Sequence, residues 1–136
     1  MAHASHSAAP ASSRLPPGEL LAIFAGGALG TLGRVALAET FPWHPGLWPW
    51  PTLSVNLLGA FIIAFAAVRL LGSGGAKARG FVGAGFCGGL TTFSTLTLEV
   101  VRMGQSGRWV TLVSYLVVTL VAGYLAVRAG EALARG

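Results

Sequence analysis

The feature that most constrains this chain is a series of long apolar runs that contain no charged residue. Two of them lie between Arg79 and Glu99 and between Arg108 and Arg128. Across the chain 54% of residues are hydrophobic and 10% are charged, whereas an ordinary soluble domain carries about 25% charged residues. Because about 20 apolar residues in a helix cross the hydrocarbon core of a bilayer, these runs predict transmembrane helices.

The sequence predicts an all-α membrane protein whose four transmembrane helices lie at about residues 19–38, 52–71, 80–101 and 109–128. Together they form one membrane domain, residues 18–131. Residues 1–17 are predicted to be a disordered tail and residues 132–136 a short C-terminal tail. Between the spans we expect flexible basic loops at 72–79 and 102–108. An interfacial turn is expected where proline and tryptophan cluster, at Pro42, Trp43, Pro45, Trp48, Pro49, Trp50 and Pro51.

The charge of the chain fits a membrane better than nucleic acid. The formal net charge is +5, but the basic residues are scattered at the ends of apolar runs and form no patch. They therefore suit lipid headgroups. Their distribution between the two sides of the membrane is only weakly biased, which is compatible with insertion in either orientation. Cys87 is the single cysteine, so an intrachain disulfide and a cysteine-based metal site are excluded.

The third apolar run is interrupted by the segment Gly88-Gly-Leu-Thr-Thr-Phe-Ser-Thr95. Glycine loosens a helix, and hydroxyl groups can bind backbone groups that a break leaves free. Such backbone is tolerated at this depth only inside protein or beside an aqueous cavity. Its free carbonyls would be hard oxygen ligands for a small cation such as Na⁺. The alternative is an unbroken helix whose hydroxyls bond back to carbonyls of the preceding turn.

Other spans add neutral polar side chains. Asn56 lies inside the second span, where an unpaired amide would be costly, and Thr52 lies on the same helical face. In the fourth span Tyr115 and Thr119 share a face; this pair fits interhelical hydrogen bonding as well as it fits pore lining. Neutral donors together with the positive edge of a phenyl ring suit an anion better than a cation.

Two further patterns favour helix packing. Gly26 and Gly30 in the first span, and Gly85 and Gly89 in the third, are each four residues apart and would let helix backbones approach closely. The charged residues Arg34 and Glu99 lie near the ends of their predicted spans. Snorkelling to the interface or a mutual ion pair would account for both.

At these residues the chain resembles the small bacterial fluoride channels known as the Fluc or CrcB family. The resemblance covers all four spans. It is carried by Gly26-Gly-Ala-Leu-Gly30 with Arg34, by Asn56 followed by Gly59, and above all by the segment 88–95. One departure is Leu96, where the family usually has a second phenylalanine and where leucine offers no positive ring edge.

The resemblance implies an antiparallel, dual-topology homodimer with two pores in the bilayer. It also implies a structural Na⁺ at the dimer centre, which is not transported and is held by the backbone carbonyls of Gly88 and Thr91. The anion pathway implied for fluoride comprises Asn56, Phe93, Ser94, Thr95, Glu99, Thr52, Tyr115 and Thr119.

The function expected from this resemblance is passive, fluoride-selective export across a bacterial inner membrane, without enzymatic activity. Fluoride becomes trapped in the cytoplasm when HF enters from acid surroundings and dissociates. Two alternatives remain open. One is a small multidrug exporter, which would want a carboxylate well inside the first helix, although Glu19 and Glu39 only bracket it. The other is a non-conducting membrane assembly subunit.

Overall fold

The computed structural model describes residues 15–44 and 46–136, which form helices joined by short loops. Helix α3 comprises three continuous pieces, of which the middle one is π-helical. The bounds are α1 Pro17–Thr40, α2 Trp50–Ser73, α3 Ala76–Arg79, Gly80–Cys87 and Gly88–Leu90, α4 Phe93–Gln105, and α5 Trp109–Arg135. Helices α3 and α4 together make the third span, and four spans are long and apolar enough to cross a bilayer. The chain is thus a multi-pass, all-helical membrane protein, as predicted.

Local sequence explains several helix boundaries. Pro17 and Pro51 lie in the first turns of α1 and α2, where a missing N–H costs nothing and the fixed φ of proline suits a helix. Gly107 adopts a positive φ of 70° between α4 and α5. Glycine reaches this conformation without steric cost, so the chain can reverse there over very few residues.

The observed helices are longer than the predicted spans. Residues Ala76–Arg79 are helical, so the predicted flexible loop is wrong for this part, because the Gly75 carbonyl accepts the N–H groups of Ala78 and Arg79 and opens a helical turn. Helix α4 continues to Gln105, which shortens the second loop. Helix α5 runs through most of the predicted C-terminal tail. The predicted N-terminal tail lies outside the described residues as far as residue 14.

The helices pack in two pairs. Helix α1 crosses α3, while α2 packs along α5. At the first crossing the backbones approach so closely that a methyl group added to Gly26 or Gly30 would overlap the carbonyl oxygen of Phe81 or Phe86. The close approach predicted from the glycine spacing is therefore confirmed, and it brings the middle of α1 against the C-terminal end of α3.

The third span is interrupted between α3 and α4. Thr91 and Thr92 have extended backbones, with φ/ψ of −77°/156° and −147°/121°. The predicted break in the third helix is confirmed. Its polar residues also explain why this span has the lowest mean hydropathy of the four, 1.3 against 1.7 to 2.2 for the others.

Helix α2 receives the break at a glycine. Gly59 is buried, and a methyl group added to it would overlap the γ-methyl group of Thr91. The same added carbon would lie 3.7 Å from the Thr91 β-carbon, which is an ordinary contact. Only glycine therefore lets the γ-methyl of Thr91 sit against α2 at this point.

We predict that Gly59→Ala destabilises the protein and that Thr91→Ser in the same chain restores most of the loss. The overlap should cost about 1–3 kcal/mol, and serine removes the overlapping methyl group while keeping the hydroxyl that donates to the Cys87 carbonyl. Thermal unfolding of the purified protein in detergent measures the effect.

Gly27→Ala is the matched control for this prediction, because its added methyl group would lie 3.9 Å from the Gly85 carbonyl oxygen. It should unfold at a temperature close to that of the unsubstituted chain. A double variant no more stable than Gly59→Ala alone would show that the overlap with Thr91 is not the cause.

Candidate functional site: a broken transmembrane helix and its cleft

The break frees backbone groups inside the membrane, and neighbouring side chains take them up. The side-chain amide of Asn56 on α2 forms two hydrogen bonds to Thr92: Oδ1 accepts the Thr92 N–H at 2.8 Å, and Nδ2 donates to the Thr92 carbonyl at 3.0 Å. From α1, Arg34 Nε donates to the Gly89 carbonyl at 3.1 Å. These three bonds satisfy polar groups that would otherwise be costly in hydrocarbon.

Thr92 also caps the second half of the span. Its hydroxyl oxygen accepts the Thr95 N–H at 3.2 Å and lies 3.0 Å and 3.2 Å from the hydroxyl oxygens of Thr95 and Ser94. Threonine is a favoured N-cap residue. Sequence reasoning included Thr92 in the motif but assigned it no role of its own. The signal was a threonine directly before a renewed helical run.

A second polar cluster lies further along α4, towards its C-terminal end. Glu99 is 3% exposed and accepts hydrogen bonds from the hydroxyls of Thr52 and Tyr115, the latter at 2.9 Å. Tyr115 is fully buried, and the edge of the Trp48 ring meets it with centroids 5.8 Å apart. Three predicted pathway residues from three spans therefore meet at one point.

Glu99 and Arg34 were expected to snorkel or to pair with each other, and the structure shows neither. Helix α4 continues past Glu99 for more than a turn, so this carboxylate is buried inside the span. Its oxygens bind hydroxyls, while Arg34 binds the Gly89 carbonyl. The predicted span ended at residue 101 and therefore placed Glu99 near its end, whereas the observed helix continues to Gln105.

A cleft of about 610 Å³ runs along the break, and its lining contains no charged side chain. Phe93 lies in it with a side chain that is 81% exposed. Asn56 and Thr119 line the same cleft, and within the described residues the buried Thr119 hydroxyl has no hydrogen-bond partner. Leu96 also lines it, so Phe93 supplies the aromatic surface.

Four backbone carbonyls at the break fall into two pairs. The carbonyls of Gly89 and Thr92 accept hydrogen bonds from Arg34 and Asn56. In the described part of the chain the backbone hydrogen bonds outside the helices end on neither the Gly88 nor the Thr91 carbonyl, and both residues line the cleft. Gly88 is also exposed. These are hard oxygen donors of the kind that small cations prefer.

The predicted pathway residues therefore fall into two groups. Asn56, Phe93 and Thr119 share the large cleft, whereas Thr52, Glu99 and Tyr115 form the buried cluster. A small cavity of about 50 Å³ lies beside Arg34 and is lined by threonines from both sides, namely Thr52, Thr92 and Thr95. Ser94 is exposed, and within the described residues its hydroxyl contacts that of Thr92.

Comparison with known proteins adds a family to this geometry. The model of the family described as CrcB-like protein, Camphor Resistance (CrcB) matches residues 21–131. A protein of Mycolicibacterium paratuberculosis named fluoride-specific ion channel FluC 1 is 44% identical over 119 residues, covering 86% of this chain and 90% of the relative. A Streptococcus pneumoniae protein named fluoride-specific ion channel FluC 2 is 41% identical over 108 residues, covering 77% and 86%. The chain therefore belongs to the CrcB family.

Proposed function

We propose that this chain forms a fluoride-selective channel that conducts F⁻ passively out of the bacterial cytoplasm. One observation carries the proposal furthest: the cleft at the break joins an aromatic ring and an amide, and its lining contains no charged side chain. Such a lining can replace the water around a small anion. The names of the relatives support fluoride as the ion, and their bacterial sources support a bacterial cell membrane as the location.

The functional unit is an antiparallel homodimer. In a single chain Phe93 is 81% exposed in the middle of a span, and the cleft beside it is open on one side. A second copy would close this side and complete two pathways. Antiparallel pairing requires that the chain insert in both orientations, which the weak charge bias of its loops permits.

Within each pathway we assign the large cleft to ion binding and the buried cluster to an end of the pathway. Phe93 offers its ring edge and Asn56 offers a donor, while Thr119, whose hydroxyl is buried, lines the same cleft. Ser94 and Thr95 extend the hydroxyls towards the cluster of Thr52, Glu99 and Tyr115. Conduction is passive, so fluoride leaves when HF that has entered from acid surroundings dissociates and raises its concentration inside.

A structural Na⁺ at the dimer centre fits the donors at the break. Within the described residues no backbone hydrogen bond from outside a helix ends on the carbonyl of Gly88 or Thr91, and both residues line the open cleft. A cation held there would balance carbonyl dipoles that otherwise face one another across the two copies. It would hold the halves together and would not be conducted.

A multidrug exporter would need a carboxylate that protons reach from both sides of the membrane. Among the described residues the buried carboxylate is Glu99, and both of its oxygens accept hydrogen bonds from hydroxyls while the residue is 3% exposed. The channel accounts better for this arrangement.

The deciding experiment is fluoride efflux from loaded liposomes, followed with a fluoride electrode.

With a potassium ionophore present to balance the charge, purified protein should release fluoride at a rate far above that of protein-free liposomes loaded with the same fluoride, without a proton gradient. Flux equal to that of the protein-free liposomes would contradict the channel and would favour an assembly subunit. Proton-driven efflux of a cationic drug would favour the exporter.

We predict that Phe93→Ile lowers fluoride flux about fivefold or more while the dimer is preserved. Isoleucine fills similar space but lacks the positive ring edge, and an aromatic contact of this kind is worth about 1 kcal/mol or more. Liposome efflux measures the rate and cross-linking measures the dimer. Phe24→Ile, at an exposed phenylalanine of α1, is the control and should conduct normally. An unchanged rate for Phe93→Ile would remove this ring from the pathway.

We also predict that Na⁺ stabilises the assembled protein without being carried. A ligand that binds only the folded state at 100 times its dissociation constant adds about 2.7 kcal/mol. The purified protein should therefore unfold at a higher temperature in sodium chloride than in N-methylglucamine chloride, and radioactive Na⁺ should not cross liposomes during fluoride efflux. Equal unfolding temperatures would argue against the Na⁺ site, and Na⁺ flux would contradict its structural role.

A further inference from the structure

We propose that Asn56 is a positioning residue that acts on the anion pathway through Thr92. This inference rests on the proposed channel function, but its geometry does not. A primary amide has one carbonyl oxygen and two N–H groups. In Asn56 the oxygen and one N–H are both held by the peptide groups of Thr92, at 2.8 Å and 3.0 Å. The peptide groups of Thr92 therefore occupy the oxygen and one of the two N–H groups of the amide.

Thr92 in turn controls the start of α4. Its hydroxyl caps the Thr95 N–H and contacts the hydroxyls of Thr95 and Ser94. Phe93 follows directly in the chain, so the direction of its ring depends on the backbone that Asn56 holds. One asparagine thus sets the place of three hydroxyls and one aromatic ring.

Gly59 gives α2 a second point of contact with the break. It lies three residues after Asn56, on the same face of α2, and the γ-methyl group of Thr91 packs against it. Asn56 binds the peptide groups of Thr92 and Gly59 admits the side chain of Thr91. The break is therefore fixed in both position and rotation relative to α2.

Such fixing matters for ion selectivity. Donors that are held in place cannot rearrange around a larger anion, whereas donors on a loose segment can adapt to it. Loss of the Asn56 amide should therefore lower fluoride flux and also weaken discrimination against chloride. A direct ligand without a positioning role would affect the pathway only through its own contact.

A double-mutant cycle separates the two roles. Asn56→Ala and Thr92→Val should each lower fluoride flux from liposomes, by about tenfold if each removes one to two hydrogen bonds. If Asn56 acts through Thr92, the double variant should be about as slow as the slower single variant. Independent roles would multiply to about a hundredfold, and that result would overturn the proposal.

The matched cycle combines Asn56→Ala with Thr119→Val, because no hydrogen bond joins these two side chains in the described structure. Their effects should multiply. If Asn56→Ala fails to assemble, Asn56→Asp replaces it in the hydrogen-exchange test below, because its negative charge would itself slow fluoride flux. Aspartate keeps an oxygen for the Thr92 N–H but loses the donor to the Thr92 carbonyl.

Amide hydrogen exchange in lipid nanodiscs tests the proposal without relying on flux. Asn56→Ala should speed exchange of both the Thr92 and the Thr95 N–H, whereas Thr92→Val should speed mainly that of Thr95. Leu58→Ala, at an exposed position of the same helix, should change neither. Unchanged protection of Thr95 in Asn56→Ala would overturn the positioning role, even if the channel conducts fluoride. The exchange result stands equally if the protein proves not to conduct.

Discussion

The structure depends on one constraint: a helix that breaks inside hydrocarbon must find partners for the peptide groups it frees. An unsatisfied group there costs several kcal/mol, and Thr91 and Thr92 free several of them at once. The partners come from three places. Arg34 on α1 binds the Gly89 carbonyl, Asn56 on α2 binds both groups of Thr92, and the Thr92 hydroxyl caps α4. The remaining packing serves to bring these partners within reach.

Small residues allow the helices to approach closely enough for these hydrogen bonds to form. The glycines of α1 let its backbone touch α3, which places Arg34 beside the end of α3, and Gly59 lets the break lie against α2. Each recovered hydrogen bond adds only about 1 kcal/mol net. These bonds therefore offset the cost of the break and do not make it a source of stability. A costly feature that the fold supports from two neighbouring helices is expected where function requires it. Here it places an aromatic ring, hydroxyls and free carbonyls together in the middle of a membrane.

Much of this could be predicted from the sequence, because the bilayer imposes strict rules. Uncharged runs of sufficient length give the spans, and the glycine spacing gives the close crossing. The Gly-Gly followed by four hydroxyl residues around Phe93 marks the break. What the sequence did not reveal are specific pairings. Nothing in it shows that Arg34 would reach Gly89, that Glu99 would be buried between Thr52 and Tyr115, or that Asn56 would clamp a backbone. These depend on how far each helix extends and which faces meet.

The central claim is that the cleft at the break selects fluoride. The most direct measurement is the reversal potential of the purified protein in a planar bilayer, with unequal fluoride concentrations on the two sides and chloride added to make the total salt equal. The account predicts a current that reverses close to the fluoride equilibrium potential and shifts with the fluoride gradient alone. A reversal potential that follows chloride or the cation, or no current at all, would contradict it.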